Sequence, residues 1–306
     1  MNRSQFNKSV VPGLFSFARD GYKRKATEAI WKKLCNVQTS ERAYEESAYF
    51  GTLGLPAKKP EGQPITYDDH VQGPTKRWTH TTYGLGTVVT EEEIDDCLYS
   101  DVPTTMGSQT SEIGASFAEL WEILVHDIFN NGTGTTTHTD GEGLAIFRTG
   151  HTRLRGGTWD NLLSPAADLS ATSLQTVIQQ FLTQRDDSGK FQVIVPKWIL
   201  IHPNNSWKTK ELLNSQYDPE TANNAVNTIT DFNLLPIISP YYTDTDAFTL
   251  IAEPPNANSG IIAYMRRKVK FAQDGDFDTG DFKFKGTARF SVEVNKPVNL
   301  FHSAGA

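Results

Sequence analysis

The strongest pattern in the chain runs from residue 108 to 131. Ile113, Phe117, Leu120, Trp121, Leu124, Ile128 and Phe129 recur at three- and four-residue steps, which gathers apolar side chains on one face of a helix. Gly107 and Ser108 open this segment, and Asn130, Asn131 and Gly132 close it with a C-cap signal. A shorter helix is expected from Ala26 to Cys35, where Ala26, Ile30, Trp31 and Leu34 share a face. Thr90 followed by Glu91, Glu92 and Glu93 reads as a capping box for a helix running to about Tyr99. From Leu169 onward helical and strand patterns alternate. A helix in SATSLQTVIQQFLTQ precedes a buried strand in QVIVPKWILIHP and a helix in SWKTKELLNS. Strands follow in LLPIISPYY, AFTLIAE, GIIAYMRRKVKFA and FKFKGTARFSVEVN. With no regular repeat, this mixture predicts an α+β fold.

Residues 43–90 break the pattern. Arg77 to Tyr83 form a Thr- and aromatic-rich strand signal, while Pro56, Pro60, Pro64 and Pro74 with Gly51, Gly54, Gly62 and Gly73 mark turns and edges. A segment this long and irregular inside a compact domain is usually functional. A lone two-stranded ribbon is marginal in water. The expectation is therefore a two-stranded arm, without a partner in its own chain, that lies on a neighbouring subunit. Trp78 and Tyr83 should lose exposure there. Residues 1–25 are basic and interrupted by Pro12 and Gly13; Val10, Val11, Leu14, Phe15 and Phe17 need burial, which predicts a second arm docking on a neighbour.

Charge and cysteines narrow the classes. A formal charge of -7 over 306 residues argues against tight, sequence-independent nucleic-acid binding. Cys35 and Cys97 suit neither a disulfide framework nor a thiolate metal site, and a reducing compartment is expected. No run is long and apolar enough for a membrane span, and the N-terminus lacks a signal-peptide pattern, so no membrane association is expected.

Catalytic signals are weak. His70, His80, His126, His138, His151, His202 and His302 form no HExxH spacing. His126 falls within the long helical pattern and reads as structural. His138, Asp140 and His151 share a loop region and are the one polar cluster suited to acid–base or metal chemistry, although bracing of the loop is the stronger reading. Asp274, Asp276 and Asp278 imitate a calcium loop, but Thr279 replaces the required Gly and Lys285 the bidentate Glu, so an acidic turn between strands is expected. Phosphate-binding and nucleophile motifs are absent, and no cofactor, metal or enzymatic activity is expected.

The collinear order of several segments resembles the major capsid proteins of tailed bacteriophages, with the Hong Kong 97-type fold, and within them the Mu-type major head subunit branch. VPGL and DGYKR resemble the start of the N-terminal arm, and EGQPITYDDHVQGPTKRWTHTTYGLGTVVTEEEIDDCLYS the extended loop and the start of the spine helix. ELWEILVHDIFNNG, DGEGLAIFRTGH and WDNLL resemble the end of the spine; LSATSLQ, VPKWILIHP and LLPIISPYYTDTDAFTLIA the axial domain; DFDTGDFKFKGTARFS the closing strands.

The resemblance implies an N-terminal arm with a short helix at 1–42, an extended loop at 43–90, a peripheral domain at 91–167 and 271–306, and an axial domain at 168–270. It implies hexamers and pentamers closing an icosahedral shell around double-stranded DNA, with Phe15, Phe17, Trp78, His80 and Tyr83 as inter-subunit contacts. A separate scaffolding protein is expected, since many relatives carry a helical extension ahead of the arm; a portal and a decoration protein are further partners. Lys58, Lys59 and Lys76 match no cross-linking lysine, and no covalent cross-link is expected. Two alternatives are a nanocompartment shell of the same fold and a soluble enzyme using His138, Asp140 and His151.

Overall fold

The computed structural model describes residues 3–90, 92, 102–217, 226–255, 259–276 and 278–306, with side chains from residue 13 in the first helix and from 106 in the third. The expected helix after Thr90 lies outside these residues.

Helix α1 (Arg3–Thr27) and the single turn α2 (Trp31–Leu34) pack on α3 (Val102–Asn131), the amphipathic helix legible in the sequence. At 1.5 Å per residue α3 is about 45 Å long. The expected basic arm is therefore corrected: its backbone is helical through Pro12 and Gly13. Docking supplies what local propensity lacks. Leu14 and Ala18 are buried in the core, and the helices cross at two glycines. A Cβ on Gly21 would stand 2.1 Å from the Ser111 carbonyl oxygen, and one on Gly114 would stand 1.9 Å from that of Ala18. Only glycine permits so close an approach.

Beneath α3 lies a four-stranded sheet in the order β1 (Asn36–Thr39), β10 (Ile261–Gly275), β11 (Phe282–Val294), β4 (Thr81–Val89). β1 runs parallel to β10, and the other neighbours are antiparallel. A column of rings ties sheet to helices. Tyr83 stacks on Phe290 at 4.8 Å, Phe290 on Trp121 at 3.8 Å, and Trp121 on Trp31 at 4.7 Å. Such offset pairs add to simple area burial.

A second four-stranded sheet has the order β12 (Leu300–Ser303), β9 (Phe248–Ala252), β7 (Pro196–Ile201), β8 (Leu235–Ile238). The parallel β7–β8 pair requires a crossover, which includes α5 (Ser206–Asn214). Helix α4 (Ala171–Leu182) starts at a capping box of Ser170 and Ser173 and buries Leu174, Val177, Ile178 and Phe181 against this sheet. The expected strand from Gln192 is corrected: pairing in that sheet begins at Pro196, and Phe191, Val193 and Val195 are exposed.

The two sheets also redraw the expected boundary at residue 270. β10 enters the first sheet at Ile261, and the last strand, β12, returns to the second. Two short ribbons complete the fold, β2 (Tyr44–Phe50) with β3 (Gln72–Thr79) and β5 (His151–Thr152) with β6 (Thr158–Trp159).

Candidate functional site

The β2–β3 ribbon is the expected arm, and it is a hairpin whose tip, residues 51–71, contains no strand. Its base is rooted in the body. Trp78 is 1% exposed and packs on Tyr264, with ring centres 5.3 Å apart, and on Ile262. His80, the single residue between β3 and β4, bonds Ser291 Oγ through Nδ1 and Ser40 Oγ through Nε2, each at 3.0 Å. Burial, then the nearby Arg289 charge, pushes its imidazole below the ordinary value, which favours the neutral ring. Lys76 reaches Glu293 at 2.9 Å and the Val294 carbonyl at 3.2 Å, and also donates to the Thr139 carbonyl.

The expectation of an arm without partners in its own chain is thus corrected. Residues 81–89 belong to the body sheet, and the tip itself is braced: Thr52 donates to Asp186 at 2.7 Å, Ser188 to the Leu53 carbonyl at 3.0 Å, and Arg155 to Asp68 at 2.7 Å. Polar residues far apart in sequence make these braces, so no local pattern announces them. Among the side chains that the hairpin leaves to solvent are large apolar ones: Phe50 at the end of β2, and Leu55, Ile65 and Tyr67 in the tip, are 62%, 79%, 55% and 85% exposed.

Of the five residues expected to meet a neighbour, Trp78 and His80 are buried in the subunit. Trp78 has almost no surface left to lose, which corrects the expected loss of exposure at that position. Tyr83 is half-buried in the ring column, and Phe15 lies edge-on to Phe284 at 5.5 Å. Phe17 remains 48% exposed, lying over Gly107. Lys76 is tied inside the subunit, whereas Lys58 and Lys59 are exposed.

Sequence reasoning missed Glu122. It is buried on α3 and accepts hydrogen bonds from the backbone N–H of Ile30 at 2.6 Å and Trp31 at 3.1 Å, capping the α2 turn. Burial raises its carboxyl, partly offset by those two N–H groups. His126, one turn on, is fully buried and bonds the Glu122 carbonyl through Nδ1 at 2.7 Å, in keeping with its structural reading. Burial pushes the neighbouring Cys35 thiol up to about 12, which leaves it unreactive.

The histidine loop does not converge. His138 turns to Asp127 at 2.7 Å. Asp140 lies 3.5 Å from His151 Nδ1, but its oxygens already accept from the Glu142 and Leu144 N–H groups and from Arg148 at 2.8 Å. Burial would raise the Asp140 carboxyl, yet His151 and then these partners hold it below the ordinary range. His151 Nε2 is spoken for by Asn161 at 2.8 Å, and its ring stacks on Trp159 at 4.1 Å. The adjoining cavity, about 10 Å³, admits at most one water. Among the described residues no group of three His, Cys, Asp or Glu converges to hold a metal. The arrangement braces a loop.

The calcium-like segment is a turn between β10 and β11, in which Asp276 pairs with Lys283 at 2.6 Å. Among the described residues no helix is long and apolar enough to cross a membrane.

This geometry has relatives. The capsid of the cyanophage P-SCSP1u matches with a TM-score of 0.57 at 13% identity, over 89% of this chain and 86% of that one. The mature capsid of bacteriophage PhiM1 matches at 0.56 and 12%, over 90% and 86%. The capsid of bacteriophage JBD30, decorated with minor capsid protein trimers, matches at 0.53 and 15%, over 70% and 90%. The fold is thus the Hong Kong 97-type, as the sequence resemblance implied. No curated protein sequence matches the chain. A family model described as phage capsid protein matches residues 73–302, about three quarters of the chain, and the chain belongs to that family.

Proposed function

We propose that this chain is the major head subunit of a tailed phage of the Mu-type branch, closing as hexamers and pentamers into an icosahedral shell around double-stranded DNA. The observation that carries the reading is the hairpin. Four large apolar side chains face solvent on a rooted, braced ribbon, a costly arrangement for a lone subunit and a useful one for an assembling subunit. The β2–β3 hairpin with its tip is the assembly element, α3 is the spine of a peripheral domain, and the second sheet is the core of an axial domain. The acidic chain encloses DNA without reading its sequence. Scaffolding, portal and decoration proteins are its expected partners, the host cytoplasm its place of assembly and the virion its destination. Its role is structural, with no catalytic step.

The test replaces residues 52–70 with Asn-Gly, which preserves the Gly51–Val71 backbone hydrogen bond and both strands. Electron microscopy and light scattering should show closed shells from the parent chain and only small soluble oligomers from the variant. Normal shells from the variant would refute the reading.

A further inference from the structure

β1 pairs only with Ile262–Met265, whereas β10 continues to Gly275. Where β10 outruns its neighbour a groove of about 590 Å³ opens between α1, α2 and the sheet, a size typical of sites for small ligands. Its floor is apolar: Tyr22, Met265, Val269 and Phe271 are half-buried there, and Val37 is exposed. Its rim is basic: Arg19, Lys23, Lys32, Arg267 and Lys268, with no acidic residue in the lining. None of the five forms an ion pair among the described residues. Arg267 and Lys268 are consecutive, and in a regular strand they would point to opposite faces of the sheet. β10 shifts its register on β11 between Met265 and Arg267 and again between Arg267 and Lys270, and these irregularities bring both cations to the one groove.

We propose that the groove binds a single-chain amphiphile with an anionic head, a free fatty-acid carboxylate, its tail on the floor and its head among the rim cations. Floor and rim call for the two halves of one molecule. Covering wet apolar surface is favourable roughly in proportion to its area, and a carboxylate among unpaired cations forms charge-assisted hydrogen bonds, bidentate with an Arg guanidinium. The phosphates of a DNA duplex would meet the cations but leave the floor wet. An extended peptide added to β10 would meet a strand whose pairing is interrupted twice between Met265 and Lys270, and such irregularities turn an edge away from further strands. Every lining residue belongs to one subunit, so the site goes beyond the shell reading and does not depend on it. A tail seated between α1, α2 and β10 bridges the N-terminal helix and the sheet, and occupancy should stabilise the folded subunit.

Dodecanoate is the probe, titrated calorimetrically into unassembled subunit below its micelle concentration. Dodecyltrimethylammonium carries a like tail with the opposite charge, and acetate carries the head alone. Dodecanoate should saturate at one per subunit and raise the melting temperature, while dodecyltrimethylammonium should bind about tenfold more weakly or worse and acetate not measurably. Arg267→Glu with Lys268→Glu should weaken dodecanoate by about tenfold or more and strengthen dodecyltrimethylammonium. Both positions are exposed, and a gain for the opposite charge is beyond a merely damaged fold. Uptake without saturation, a lowered melting temperature, equal affinity for the two amphiphiles, or unchanged affinity in the reversed pair would overturn the proposal. So would a short DNA duplex, or vesicles of anionic phospholipid, that bind through Arg267 and Lys268 while monomeric dodecanoate does not; the rim would then belong to a nucleic acid or a membrane surface. A subunit that ignores dodecanoate yet closes shells leaves the shell reading standing, and one that binds it without closing shells overturns only that reading.

Discussion

Gly114 tests the account of how α1 is held. A Cβ there would sit 1.9 Å from the Ala18 carbonyl oxygen and 2.9 Å from the Tyr22 nitrogen. Both are backbone atoms, so no side chain can rotate away. Restoring ordinary contact at about 3.4 Å requires the helices to part by about 1.5 Å, which forfeits much of the dispersion along the seam around Leu14 and Ala18. Overpacking of this kind costs about 1–3 kcal/mol, against a helix-propensity gain of about 1 kcal/mol for Gly→Ala. Gly114→Ala should therefore destabilise the subunit by up to about 2 kcal/mol, and Gly21→Ala similarly. Gly13 is the control. It lies in the same helix as Gly21, but its nearest neighbour, Phe17 Cε2, is 4.0 Å from the added methyl, so Gly13→Ala should stabilise by about 1 kcal/mol. Urea titrations of unassembled subunit, followed by fluorescence of the stacked Trp31–Trp121 pair, read the sign directly. Stabilisation by Gly114→Ala equal to that by Gly13→Ala would refute the close crossing.

Three further outcomes are expected. Glu122→Ala orphans the Ile30 and Trp31 N–H groups and should cost about 2–3 kcal/mol in the same titration, while Glu122→Gln, which keeps an acceptor, should cost clearly less; equal losses would exclude the capping role. Burial lowers His302 from 6.5 to about 4, so below pH 6.5 the unfolded chain takes up a proton that the folded chain refuses until about pH 4. Stability should fall by about 3 kcal/mol across that window, and His302→Gln should flatten the slope; identical profiles would count against it. Lys76→Met removes the tie from β3 to Glu293 and should speed limited proteolysis in residues 51–71 severalfold, whereas unchanged cleavage would show that Lys76 does not root the hairpin.

How much was legible depended on where the information sits. α3 was readable because seven large apolar residues keep helical spacing over their whole length. α1 was not, because Pro12 and Gly13 speak against a helix locally, while what favours it, the Gly21–Gly114 crossing, exists only once two segments about ninety residues apart meet. The hairpin was announced by its Thr- and aromatic-rich run, but the alternation around Trp78 cannot say that its buried face meets Tyr264 and Ile262 and not a neighbouring molecule. At the histidine loop, proximity in sequence correctly joined Asp140 to His151 and wrongly included His138, whose partner Asp127 lies on the preceding helix. Arg148 and Asn161, which complete the loop's bonding, carried no spacing signal at all.

His80 deserves a mechanical reading. The chain passes from a solvent-facing ribbon to a rigid sheet across this one residue, whose two ring nitrogens are fixed on Ser40 and Ser291. β3 is eight residues long, a lever of about 26 Å at 3.3 Å per residue. A change of about 5° at the pivot therefore carries the far end of the strand through about 2 Å, half the separation of two neighbouring strands. Trp78 and Lys76 hold the base of β3 against the body, so a subunit takes up a different inclination only as far as those contacts give, and two hydroxyls gripping one imidazole add to the stiffness with which each inclination is held.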